Sequence, residues 1–109
     1  MRLLNDELIK RFREVGSQEN SEDPMVICKF FNPTGAGTWY ATEYVEEERL
    51  FYGWVSIFRD HCDEFGSFSL DELQEFKGGF GLGIERDIYF TPTKLSEIKK
   101  RLYGNNSAD

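Results

Sequence analysis

The chain has 109 residues, one domain's worth, with 20 acidic against 13 basic side chains and a formal net charge of −7. A hydrophobic content of 39% with 16% aromatics excludes a disordered chain, and no apolar run approaches the ~20 residues that a membrane helix needs. The acidity disfavours direct contact with nucleic acid or anionic membranes over most of the surface and favours basic partners.

Leu4, Leu8, Phe12 and Val15 recur at helical spacing among charged residues. They predict an amphipathic helix over residues 5–15, capped by Asn5 or Asp6 and ended by Gly16. Ser17 to Pro24 is polar throughout and reads as a mobile loop. Met25 to Phe31 reads as one strand, the turn-rich Asn32 to Gly37 as a loop, and Thr38 to Val45 as a second strand, the two forming a hairpin. Strict alternation puts Trp39, Ala41 and Glu43 on one face and Tyr40, Thr42 and Tyr44 on the other.

Glu46-Glu47-Glu48 is a charged turn before a third strand, Leu50 to Phe58, whose two-sided apolarity predicts a central place in the sheet. Gly53 within it marks a bulge or a close backbone approach. Arg59 to Glu64 is a polar loop, and Phe65 to Phe68 a short strand. Ser69 and Glu72 form a capping box for a helix over 70–76. The glycine-rich Gly78 to Gly83 follows a helix and precedes a strand, the wrong context for a phosphate loop, so it reads as a turn that tucks Phe80 and Leu82 inward. Ile84 to Phe90 reads as a strand with Ile84, Arg86, Ile88 and Phe90 on one face. Pro92 suits the first position of a last helix, striped by Leu95, Ile98 and Leu102 and stopped by Gly104.

These elements predict a single α+β domain over residues 1–104: a small, mostly antiparallel sheet of four to five strands with N-terminal, middle and C-terminal helices packed on it, and a frayed tail over 105–109. Carboxylates occupy the N-terminal stretch where a signal peptide needs an apolar run, which predicts a cytoplasmic protein. Cys28 and Cys62 form no CxxC or zinc spacing and read as free thiols, although two cysteines also allow one disulfide.

The charge is unevenly placed. Residues 16–75 carry three basic and thirteen acidic side chains, a net of −10, while both ends of the chain are slightly positive. Glu43, Glu46, Glu47, Glu48, Asp60, Asp63 and Glu64 are therefore candidate partner-binding residues, the 46–48 turn and the 60–64 loop lying at opposite ends of the third strand. The plainer reading of such runs is a solvated face. Trp39 and Tyr52 join the candidates, because aromatics rimmed by acids suit a basic partner; core packing is the alternative for every ring on these strands.

His61 stands beside Cys62, Asp63 and Glu64, but neighbouring residues rarely converge on one substrate, and no metal-ligand spacing is met. No metal, cofactor or catalytic residue is expected, and the chain reads as a binding protein and not an enzyme. In Glu85-Arg86-Asp87, Arg86 points among apolar residues and calls for a carboxylate partner. This is a structural ion pair that pins the sheet, or the polar centre of a cleft.

Several stretches, in order, resemble a known family. They are Asp23-Pro-Met-Val, Lys29-Phe-Phe-Asn-Pro, Thr38-Trp-Tyr-Ala-Thr-Glu43, Phe51-Tyr-Gly-Trp-Val55, Gly66-Ser-Phe-Ser-Leu-Asp-Glu-Leu73 and Gly81-Leu-Gly-Ile-Glu-Arg-Asp-Ile-Tyr-Phe90. With Pro92 and Leu95-Ser-Glu97 they are similar to a family of small bacterial, plasmid and phage proteins described only as a domain of unknown function. The resemblance covers about residues 3–98. It implies a setting in mobile elements within a bacterial host cell, where small acidic proteins often block host defence. The expectation is an inhibitor of anti-CRISPR or anti-restriction type that masks a basic, nucleic-acid-binding surface of a host protein. The alternative is a small enzyme or ligand-sensing domain with a cleft near His61 and Cys62 or near Glu85, Arg86 and Asp87.

Overall fold

A computed structural model describes residues 2–104; the predicted tail over 105–109 lies outside them. The first helix, α1 (Asp6–Val15), starts where Asn5 Oδ1 accepts the Leu8 N–H at 2.8 Å and ends at Gly16, whose φ of 68° suits glycine. Its apolar stripe puts Phe12 against Tyr44 and Phe51, with ring centroids 6.0 Å apart in both pairs.

The predicted first strand is two strands. Met25–Val26 (β1) and Cys28–Phe31 (β2) belong to different sheets, and Ile27 between them donates its N–H to the Ala41 carbonyl at 2.8 Å. Val26, Ile27 and Cys28 are all buried, so the run has no alternation from which a change of sheet could be read. Then come β3 (Thr38–Val45), a 3-10 turn at Glu46–Glu48, β4 (Leu50–Ser56), β5 (Glu64–Ser69), α2 (Leu70–Glu75), β6 (Glu85–Arg86), β7 (Thr93–Lys94) and α3 (Leu95–Tyr103). The main sheet is antiparallel, in the order β5-β4-β3-β2-β6; β1 and β7 form a separate two-stranded ribbon.

One face of the main sheet is covered by α1 and α2 and the other in part by α3, which accounts for much of its two-sided aromaticity. Phe51 centres one face, with centroids 5.2 Å from Phe30, 5.3 Å from Phe68 and 4.8 Å from Tyr44. There α1 and α2 add Leu8, Phe12, Leu70 and Leu73, and Trp39 packs at the margin. On the other face α3 sets Leu95 and Ile98 against Val26, Tyr40 and Trp54. Ser69 Oγ accepts the Glu72 N–H at 3.1 Å, the cap anticipated for α2.

Three local expectations fail, each for a physical reason. The strand expected over 84–90 stops at Arg86, because Asp87 Oδ1 accepts the Tyr89 N–H at 3.0 Å and turns the chain. Ile88 and Tyr89 are thereby exposed, while Phe90 packs toward α3. The last helix does not begin at Pro92. It begins at Leu95, where Asp23 caps it from 73 residues away, accepting the Ser96 N–H at 2.8 Å and the Ser96 hydroxyl at 2.7 Å. Finally, Phe80 does not tuck inward. It sits at the crest of the glycine-rich turn with φ 59° and is 100% exposed, and Leu82 is exposed as well.

Candidate functional site

A β-bulge in β3 decides which side chains meet. Ala41 pairs with Gly53 and Glu43 with Tyr52, so Thr42 is an extra residue in β3. Thr42 is buried, and its hydroxyl donates to the Tyr52 carbonyl at 3.1 Å. Opposite the bulge, Gly53 accommodates the crowding: a Cβ there would lie 1.9 Å from the Tyr40 carbonyl oxygen.

The bulge reverses the alternation expected from the sequence. Tyr44 joins Trp39 and Ala41 in the core beneath α1, and Glu43 moves to the opposite face, beside Tyr52. Phe65 of β5 pairs with Trp54 and lies on that same face, 47% exposed; Tyr52 is 37% exposed.

The segment between α1 and β1 forms a wall beside these rings and is held by Gln18. Its side-chain amide donates to the Met25 carbonyl at 2.8 Å and the Thr42 carbonyl at 2.7 Å, and its Oε1 accepts the Met25 N–H at 2.7 Å. The Gln18 N–H donates to Glu43 Oε1 at 3.1 Å. The stretch read as a mobile loop is therefore pinned at its base, where Gln18 near its start is tied to Met25 just beyond its end. It encloses, with the sheet and Leu95, a cleft of about 540 Å³ whose polar rim includes Glu19, Glu22 and Glu43 and whose apolar surface includes Val45, Tyr52 and Phe65. Its described lining contains three carboxylates and no basic side chain.

Only Glu43 and Tyr52 of the nine candidate partner-binding residues enter this cleft. Trp39 lies on the opposite face. Glu46 holds Arg13 through two hydrogen bonds of 2.8 and 2.6 Å, and this pairing lowers its carboxyl pKa. Glu47, Glu48 and Glu64 are exposed, and Asp60 turns its loop by accepting the Cys62 N–H at 2.9 Å. Asp63 faces inward, accepting from the Ser56 hydroxyl at 2.7 Å and from the Tyr103 hydroxyl, which in turn accepts the Trp54 indole N–H at 3.0 Å. Burial opposes its ionisation, but the hydrogen bonds from Tyr103, Ser56 and the backbone prevail and hold its pKa below the usual value. Glu19, Glu22 and Phe65 were not foreseen as a group, because a hydrogen-bonded loop and a bulge bring them together.

Arg86 donates to the carbonyls of Leu3 and Arg2 at 2.7 and 3.1 Å, tying β6 to the chain start, so its partners include backbone oxygens where a carboxylate was expected. Asp87 instead meets Lys29 at 3.8 Å, while Glu85 is half-buried in β6. His61 and Cys62 are exposed on their turn; their ligating atoms and that of Asp60 lie within 4.8 Å of one another. Cys28 is a buried free thiol pushed up to about 12 by burial, against the opposing charge of Arg86, and Cys62 is a free exposed one.

The fold is that of a small α+β domain. The chain belongs to the family described as "Protein of unknown function (DUF2958)", whose profile matches residues 3–101. No curated protein and no solved structure matches it. No helix among the described residues is long and apolar enough to cross a membrane.

Proposed function

We propose that this chain is a binding protein that takes a lysine- or arginine-bearing segment of another protein into the cleft between Gln18–Pro24 and the sheet. The carrying observation is the pairing of exposed rings, Tyr52 and Phe65, with Glu19, Glu22 and Glu43 around one cavity. A cation placed there meets carboxylates and aromatic faces together, and both attract it. The surplus of negative charge over residues 16–75 steers such a partner toward the cleft. The biological role that fits is an inhibitor carried by a phage or other mobile element, which covers a basic nucleic-acid-binding surface of a host defence protein.

The test is capture of host proteins on the immobilised chain, with bound species identified and their nucleic-acid binding then measured. Wild type should capture a basic protein, release it as salt rises, and compete with its nucleic acid. Tyr52→Ala with Glu22→Lys should abolish capture, whereas Glu47→Lys with Glu48→Lys should weaken it only modestly. Capture that survives the cleft substitutions refutes the assignment.

A further inference from the structure

On the same sheet face, beyond Tyr40, the charge reverses. A second cleft of about 370 Å³ is lined by Lys29 of β2, Tyr40 of β3, Arg59 and Arg101, with Asp87 and Tyr89 at the turn after β6. Three cations face one carboxylate there, in a chain whose formal charge is −7. Lys29 is only partly offset by Asp87, at 3.8 Å.

The cations are held in place by the fold. Arg59 occupies a left-handed backbone conformation, φ 57°, and donates to the carbonyls of Leu102 and Arg101 at 3.0 and 3.3 Å. A guanidinium has five N–H donors, so these bonds leave others for a ligand. Arg101 is half tethered by Glu97 at 3.6 Å. The independent observation is Tyr40. As a residue it is 5% exposed, it lines this cleft, and its hydroxyl, without a hydrogen-bond partner among the described residues, is open to solvent there. The charges acting on it are those of Arg59 and Arg101, offset in part by Asp63 and Asp87. A hydroxyl left to solvent at the edge of this cleft is a free donor for an anionic ligand.

We propose that this cleft binds a phosphate monoester of mononucleotide size, its dianion held by Lys29, Arg59, Arg101 and the Tyr40 hydroxyl. The volume lies within the range of small-ligand pockets, about 300–1,000 Å³. Arginine forks and a hydroxyl donor match phosphate oxygens. Tyr89, 88% exposed at the cleft margin, offers a ring face to a base without selecting among bases. Burial raises the Tyr40 pKa and keeps its hydroxyl protonated as a donor. The site is separate from the acid-rimmed cleft and does not depend on the role proposed for it.

Calorimetric titration with adenosine 5′-monophosphate, adenosine and inorganic phosphate tests this at fixed ionic strength. One nucleotide should bind per chain, inorganic phosphate should compete with it, and adenosine should not bind. Tyr40→Phe should weaken nucleotide binding about tenfold while leaving the thermal midpoint of the free protein unchanged, because the hydroxyl has no partner to lose. Arg101→Gln should weaken it at least as much. Phosphate binding as tightly as the nucleotide would identify the free anion as the source of the same dianion. No binding of either anion, equal binding by adenosine, or affinities untouched by both substitutions would overturn the proposal.

Discussion

Gly53→Ala is the sharpest probe of the bulge on which the acid-rimmed cleft depends. The added Cβ would lie 1.9 Å from the Tyr40 carbonyl oxygen, 2.8 Å from the Tyr40 carbonyl carbon and 3.0 Å from the Ala41 Cα. Carbon and carbonyl oxygen ordinarily approach no closer than about 3.3 Å, so the strands must separate by more than an ångström. All three neighbours are backbone, and none can rotate away. Overpacking a core costs about 1–3 kcal/mol even where side chains can yield, so a cost of at least about 3 kcal/mol is expected. That is a large share of the roughly 5–15 kcal/mol typical of a small domain and lowers the thermal midpoint by about 10–20 °C. Gly66 is the control. It faces Gly53 across β4 and β5, yet a Cβ there meets nothing within 4 Å. Gly66→Ala should be neutral or slightly stabilising by reducing the freedom of the unfolded chain. Urea melts of the two variants measure both changes. A Gly53→Ala cost within about 0.5 kcal/mol of Gly66→Ala would refute the close approach.

Other expectations follow from single residues. Gln18→Ala removes three side-chain hydrogen bonds to backbone and should cost about 1–3 kcal/mol; amide exchange over residues 17–25 should accelerate, and unchanged exchange would show that the wall is held otherwise. Asp23 also has a lowered pKa, from the Ser96 hydroxyl and then the Ser96 amide, as Asp63 has from its own bonds. Depressed folded-state values stabilise above the unfolded carboxyl pKa and lose that contribution as pH falls through the folded one. Stability should therefore decline as pH drops below about 4, and the decline should be shallower in Asp63→Asn, whose stability at neutral pH should be lower by about 1–2 kcal/mol. Folded protein should react with a thiol reagent at Cys62 alone, and Cys28 should react only in denaturant, because burial keeps it a protonated thiol. Rapid native reaction at Cys28 would contradict its place in the core.

What was legible in the sequence was local. The first helix could be read because Asn5, Phe12 and Gly16 act within a few residues of one another, and the cap of α2 because Ser69 and Glu72 are three apart. The antiparallel α+β class and the special status of Gly53 followed from period-two apolarity and one misplaced glycine. The acidic middle of the chain was plain from composition, but its division into a cleft rim, a locked ion pair and an inward-facing Asp63 was not.

The remainder depended on partners distant in the chain. Asp23 sets the start of α3 from 73 residues away, a bond that overrides the local preference for Pro92. The bulge at Thr42 carries no signature of its own. It arises from pairing with β4, and by adding one residue it exchanges the faces of Glu43 and Tyr44. Side-chain direction in a strand alternates at every residue, so one inserted residue turns a reading that is correct at Trp39 into its opposite four positions later. The sequence therefore determined the elements and the sign of the surface, and the tertiary pairing decided which charges share a cleft.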